Sequence, residues 1–167
     1  EVFQVKEHHN PNEVGDEPLL ACKHSKTWIA KNRKIGIEEA IKDKADIILL
    51  DDGYQDYTIK KDLLLLAING RQGFGNQMLF PSGPLRENIK TGIEKADHIF
   101  FYGIRRQLNN LLPKLKKSVF FLKIVVCKEK LKKFKKKKLV AFAGIAHPDN
   151  FFNTLSELKL DVEKKFY

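Results

Sequence analysis

Residues 46–53 read Asp46-Ile47-Ile48-Leu49-Leu50-Asp51-Asp52-Gly53. An unbroken apolar run leads straight into a pair of acids and a glycine. A run this short and this apolar, bounded by turn formers, predicts a strand covered on both faces, as in parallel α/β sheets. Ligands of such sheets bind beyond the carboxyl ends of the strands. Two carboxylates at that place suit a hydrated Mg²⁺ beside a phosphate. The same residues also make an ordinary turn, because Asp is a good turn former and Asp-Gly a common turn pair. From this segment alone the turn is the stronger reading.

Working outward, apolar runs alternate with helical patterns, which is the signature of an α/β fold. Strands are expected at residues 2–5, 27–31, 46–50, 63–68, 97–102, 119–126, 139–144 and 162–167. Helices are expected at 16–26, 33–44, 87–96, 105–117 (interrupted near Pro113) and 147–158. The helix at 16–26 opens with Asp16, Glu17 and Pro18, all favoured in a first turn. Residues 69–84 form a long connection containing Gly70, Gly73, Gly75 and Gly83. Loops of that length inside a domain are usually functional or mobile. No internal repeat is visible.

The chain has 167 residues, 43% of them hydrophobic, enough for one domain or one domain plus part of another. It begins at Glu1 without an initiator Met and ends in a strand-like run, which predicts a processed chain or a fragment. No apolar stretch approaches the ~18 residues of a membrane span, and no signal peptide is expected. Cys22 and Cys127 lie far apart without metal spacing, as expected for ordinary thiols in a reducing cytoplasm. The net charge of +10 is concentrated between residues 114 and 138, which hold twelve lysines and one acid, Glu129. A solvated linker in a Lys-biased protein is the first reading of that run. An anionic membrane surface comes next, and nucleic acid last, since few aromatics interleave the lysines for base stacking.

Several residues stand where chemistry collects. Asp16 sits at a helix start, where an acid complements the dipole and caps free N–H groups; that is its favoured reading in isolation. His147 lies at a strand-to-helix junction and titrates in the right range for proton transfer, but an exposed loop histidine is the plainer reading. The loop Gly70-Arg71-Gln72-Gly73-Phe74-Gly75-Asn76 does not match G-x-x-x-x-G-K-[ST] and is no Walker A loop. Arg71 and Arg86 fall in one loop, and Arg clamps phosphate bidentately, the alternative being a salt-bridged loop. Glu87 follows Arg86 directly. His8, His9, His24 and His98 have no ligand spacing and receive no role.

Five segments occur in order: Val14-Gly15-Asp16-Glu17-Pro18-Leu19-Leu20; Asp51-Asp52-Gly53-Tyr54-Gln55; Gly73-Phe74-Gly75-Asn76; Pro81-Ser82-Gly83-Pro84-Leu85-Arg86-Glu87; and Ala143-Gly144-Ile145-Ala146-His147-Pro148 with Phe151-Phe152. Each is weak alone. Together they resemble the tetraacyldisaccharide 4′-kinase (lipid A 4′-kinase) family over nearly the whole chain. The resemblance implies a P-loop NTPase-like three-layer α/β/α fold with a mostly parallel sheet, joined to a second α/β subdomain. On that basis residues 1–117 are expected to belong to the nucleotide-binding-like subdomain. Residues 118–138 form the Lys-rich strand and linker, and 139–167 begin the second subdomain. It also implies ATP and Mg²⁺ as cofactors and a lipid A precursor disaccharide as substrate. The expected place of action is the cytoplasmic face of the bacterial inner membrane, in peripheral contact with an anionic surface. By the same resemblance Asp16 and His147 match the catalytic pair. Asp51 and Asp52 match the Mg²⁺-serving acids, and Arg86 and Glu87 match active-site residues. Arg33 matches an upstream active-site arginine less surely.

The sequence also departs from that pattern. It lacks the Gly-rich Walker A loop, and Asp56 stands where a His is common, Asn69 where an Asp is frequent. The expectation is an internal fragment with little or no kinase activity of its own, because no lysine and amide cradle grips the phosphates. The competing expectation is a non-enzymatic basic module that binds anionic headgroups or nucleic acid through residues 114–138.

Overall fold

Val2–Val5 (β1) runs antiparallel to Thr27–Ala30 (β2), in register from Val2 opposite Ala30 to Val5 opposite Thr27. The short helices Pro11–Val14 (α1) and Asp16–Ala21 (α2) fill the connection. Asn10 caps α1 through a reciprocal arrangement with Glu13, and Gly15, at φ 86°, makes the corner into α2. Arg33–Lys42 (α3) follows, capped by Asn32, whose side chain accepts from the Lys34 amide at 2.9 Å. The computed structural model describes residues 2–113, 115–145 and 148–166. The chain divides into two units, 1–121 and 122–167.

A second sheet carries the core of the first unit. Leu65–Asn69 (β3) pairs in parallel with His98–Tyr102 (β4), Leu65 opposite His98 and Asn69 opposite Tyr102. The crossover between them contains the glycine-rich loop and Ile89–Lys95 (α4). After Arg105–Leu111 (α5), Ser118–Leu122 (β5) pairs on the far side of β4, giving the order β3-β4-β5. Ala96, Ile99 and Phe101 are wholly buried, and Ile68 and Leu108 join them. Tyr54, Phe74 and Ile93 pack onto this cluster, tying the loops around the later site to the core.

The second unit contains Lys128–Lys132 (α6), Leu139–Phe142 (β6), Pro148–Glu157 (α7) and Val162–Phe166 (β7). β6 and β7 are parallel with an irregularity at Leu139/Val140, and α7 supplies the crossover that parallel strands require. The fold is therefore α/β, with parallel pairing in both units and an antiparallel pair at the start.

The buried strand expected at 46–50 does not form. Residues 47–50 belong to no ladder, and Ile47 and Leu49 are 81% and 85% exposed while Ile48 and Leu50 turn inward. The period-2 alternation survives, but only one face is covered. A strand needs a neighbour to take its N–H and C=O groups, and neither sheet of the first unit presents one to this run. Other elements are shorter than expected. The helix begun by Asp16 stops at Ala21, α5 stops at Leu111, two residues before Pro113, and the strand before the lysine run ends at Leu122. Within the lysine run itself, residues 128–132 coil into a helix.

Candidate active site

The turn after residue 50 presents both acids to solvent. Asp52 adopts φ 49°, a left-handed conformation that Asp tolerates better than most residues. Gly53 behind it is buried, and a Cβ there would meet the Leu50 Cβ at 2.7 Å. Only glycine lets the chain double back this tightly. Arg33, the first residue of α3, braces the turn from its backbone. Its Nη2 donates to the carbonyls of Asp51 (3.1 Å) and Asp52 (3.2 Å), and its Nη1 reaches Asp56 Oδ2 at 3.4 Å. The Asp56 carboxyl lies below its usual range because Thr58 donates to it through both hydroxyl and amide, with Arg33 adding to the effect. At the position where the resembled pattern has His, this chain thus anchors an arginine with an acid.

The glycine-rich loop and the Pro-Leu-Arg-Glu segment fold back on each other. Gly73 and Gly75 both adopt φ 58°, where a side chain would be strained. Asn76 ties the loop, its Nδ2 donating to the Ser82 carbonyl at 2.8 Å and its Oδ1 accepting from the Met78 amide at 3.1 Å. Phe80 and Leu85 close it with an amide-to-carbonyl bond of 2.8 Å. This delivers Arg86 to the acidic turn, its Nη1 donating to Asp52 Oδ2 at 2.7 Å.

Two more contacts join the same segments. Gln55 Nε2 donates to Glu87 Oε1 at 2.8 Å, and the Tyr54 hydroxyl donates to the Gly92 carbonyl on α4. Burial pushes the Tyr54 phenol up from its ordinary value. The second Glu87 oxygen, Oε2, is buried without a regular hydrogen bond, and the Lys95 ammonium stands 2.5 Å from it as an ion pair. Burial would raise the Glu87 carboxyl, but Lys95 and Gln55 more than offset it and hold the group below its usual range. Burial would lower the Lys95 ammonium, but Glu87 and Tyr57 more than offset that and raise it. The pair is therefore ionised across the neutral range.

Asp52, Tyr54, Gln55, Arg86 and Glu87 line a cavity of about 440 Å³ at the carboxyl end of β3. Asp52, Arg86, Glu87 and Asn69 supply polar groups, and Leu66, Phe74 and Ile93 an apolar floor. The position matches the rule for ligands of open α/β sheets. The donor set suits Mg²⁺, which takes one or two carboxylates and completes its shell with phosphate oxygens and water. The exposed Asp51–Asp52 pair provides that, with an arginine alongside for phosphate charge.

The structure thus gathers five of the seven expected residues around one cavity and its turn: Asp51, Asp52, Arg86 and Glu87, with Arg33 as brace. Arg33 is spent on the backbone of the turn and on Asp56. Asp16 is exposed as the first residue of α2, directly after the Gly15 cap that makes the corner. His147 lies outside the described residues. Sequence reasoning passed over Gln55, Tyr54 and Lys95. Gln55 was findable, since it stands three residues after Asp52 in one of the five segments. Lys95 was not: a lysine in the last turn of a helix reads as an ordinary complement to the dipole.

A family model described as tetraacyldisaccharide-1-P 4′-kinase matches residues 1–167. A tetraacyldisaccharide 4′-kinase of Rhodospirillum centenum is 37% identical over 154 residues, covering 92% of this chain and 46% of that protein. The Dinoroseobacter shibae protein of the same name is 38% identical over 159 residues, covering 89% of this chain and 45% of its own length. That of Rhodospirillum rubrum is 37% identical over 153 residues, with 90% and 46% covered. The chain spans about half the length of the curated relatives it matches. No solved structure matches it.

Proposed function

Because the chain belongs to the tetraacyldisaccharide-1-phosphate 4′-kinase family, we propose that the protein carrying it transfers the γ-phosphoryl group of ATP to the 4′-hydroxyl of a tetraacyldisaccharide 1-phosphate. The observation that carries this reading is the 2.7 Å ion pair between Arg86 and Asp52. It closes two separate segments into one acidic and cationic rim over the cavity beyond β3.

The chemistry asks for few protein groups. The 4′-oxygen attacks the γ-phosphorus, a new O–P bond forms, the bond to the β,γ-bridging oxygen breaks, and ADP leaves. The hydroxyl proton must go to a base, and Asp16 and His147 are the residues proposed for that role from the family likeness. Asp51 and Asp52 would hold Mg²⁺, which offsets charge on the phosphates when bound. Arg86 adds cationic charge beside the transferring group. Arg33 keeps the acidic turn in place from behind. The 167 residues contain no G-x-x-x-x-G-K-[ST] sequence, so the lysine and amide cradle of a P-loop is not among the groups named here. In this reading the first unit belongs to a P-loop-like three-layer subdomain, and residues 139–167 to a second α/β subdomain beyond the 118–138 connection.

The substrate is a lipid, so the protein works at a membrane surface, and we place it on the cytoplasmic face of the inner membrane. Among the described residues no helix is long and apolar enough to cross a membrane. The second unit offers a peripheral contact instead. Ile124 and Val125, 66% and 82% exposed, lie within the stretch 123–138, which holds nine lysines. Cations beside exposed apolar residues suit an anionic leaflet.

The test is phosphate transfer by the full-length protein. Asp51→Ala, Asp52→Ala and Arg86→Ala should each lower transfer by about a hundredfold or more while lipid binding persists. If neutralising the lysines is the only change that matters, and the acids are dispensable, the basic-module reading replaces the kinase.

A further inference from the structure

Lys95 belongs to none of the segments that carry the family likeness, yet it is among the most constrained cations of the first unit. Its ammonium lies 2.5 Å from Glu87 Oε2 and donates to the Tyr57 hydroxyl at 2.6 Å. The same nitrogen sits 5.1 Å from the centroid of the Tyr54 ring and 4.8 Å from that of Tyr57. Its side chain is 23% exposed and that of Glu87 16%. Among the described residues, the other lysine ion pairs join side chains at least twice as exposed. A surface lysine placed only for helix stability does not need a carboxylate, a phenol and two ring faces.

The arrangement follows from the local chain. Lys95 closes α4, two turns after the helix cap at Asn88. Gly92, buried between them, has no side chain, and a Cβ there would touch the Glu87 carboxyl carbon at 3.5 Å. The Tyr54 hydroxyl fastens the same glycine's carbonyl, so the aromatic pair and the helix are fixed to each other. Glu87 lines the cavity and Lys95 does not. Lys95 therefore touches the site through the residues that line it, by its ion pair with Glu87 and from over the Tyr54 ring. With Lys95 on Oε2 and Gln55 on Oε1, both carboxylate oxygens are assigned, and Gln55 is three residues from Asp52.

We propose that Lys95 is a positioning residue that pins the Glu87 carboxylate against Gln55. It thereby fixes the part of the cavity wall that Glu87 shares with Asp52 and Arg86. Without it, Oε2 would be a buried carboxylate oxygen with no cation, and the side chain would swing outward or take up a proton. A small displacement of a group lining a phosphoryl-transfer site is costly to rate. The proposal rests on the kinase reading above.

The experiment is steady-state kinetics of the full-length protein with ATP, Mg²⁺ and tetraacyldisaccharide 1-phosphate, alongside thermal unfolding. Lys95→Met should lower kcat by about ten- to a hundredfold, with KM for the disaccharide changed by less than about threefold. Lys95→Arg, which keeps the charge, should recover most of the loss. In a Glu87→Gln background, Lys95→Met should add nothing further, because the two act as a unit. Wild-type kcat in Lys95→Met, equal loss in Lys95→Arg, or full additivity with Glu87→Gln would overturn the proposal and leave the kinase reading standing. If Lys95→Met fails to fold, Lys95→Gln against Lys95→Arg decides on the same terms. Absence of any transfer by the wild-type protein would overturn the kinase reading itself, and this proposal with it.

Discussion

At the scale of single residues, the site separates chemistry from stability. Arg86 and Asp52 form a close ion pair, but their side chains are 62% and 64% exposed. Exposed pairs of this kind stabilise a fold by about 0–1 kcal/mol. Arg86→Ala should therefore leave thermal unfolding nearly unchanged while removing most phosphate transfer. Phe101 shows the reverse. It is wholly buried at the centre of the core, and Phe101→Ala should cost about 3–5 kcal/mol in denaturant unfolding. The Glu87–Lys95 pair adds a pH signature. The Glu87 carboxyl is held below its unfolded value, so its contribution is full above that value and fades as pH falls through the lower, folded one. The Lys95 ammonium is raised, so its contribution is full below its unfolded value and fades as pH rises through the higher, folded one. The melting temperature should be flat near neutrality and fall at both extremes. In Lys95→Met, burial acts on Glu87 unopposed by the ammonium, and the acid-side fall should begin at higher pH. A midpoint-against-pH series for both proteins checks this.

The residues that sequence reasoning reached are those whose type and neighbours carry the message: adjacent acids before a glycine, an arginine beside a glutamate. Lys95 escaped because its partner Glu87 lies 8 positions away and only the fold brings the two together; Gln55 was within reach, but its partner, 32 positions away, was not. Arg33 was reached only as a less sure match to an upstream active-site arginine, and its guanidinium is committed to the backbone of the acidic turn.

At the scale of elements, α3 was legible because helix formation is local: Asn32 caps it and its residues need no distant partner to coil. The run at 46–50 was legible only as a pattern. Alternation and apolarity are properties of the segment, but a strand is a property of the segment and its neighbour. Hydrogen exchange puts the difference to a test. Amides of β3 and β4 should be protected, since their ladder runs unbroken over five residue pairs and flanks the wholly buried Ile99 and Phe101. Amides of residues 47–50 in this chain should exchange orders of magnitude faster. Comparable protection in both would mean that a ladder covers the run. The glycine-rich loop gives a second test at this scale. A Cβ on Gly70 would sit 2.4 Å from the Phe101 ring, so Gly70→Ala should disturb the core and the loop together, lowering both stability and transfer.

At the scale of the whole molecule, the charge distribution speaks about surroundings rather than fold. The lysines of 123–138, next to exposed Ile124 and Val125, predict binding to vesicles containing anionic phospholipid. Sedimentation with such vesicles should weaken steeply as salt rises, and neutral vesicles should capture little. Replacing Lys135 to Lys138 by Gln should reduce vesicle binding without altering transfer to a detergent-dispersed substrate. The α/β class was visible in the alternation of apolar runs and helical patterns.

The central claim is that the Asp51–Asp52 turn, closed by Arg86, is half of a phosphoryl-transfer site. The most direct measurement is γ-phosphate transfer from ATP to the 4′-hydroxyl of tetraacyldisaccharide 1-phosphate by the full-length protein and its Asp52→Ala variant. The account predicts transfer by the wild type and a loss of about a hundredfold or more in the variant, with thermal stability retained. Equal transfer by the two proteins would contradict it.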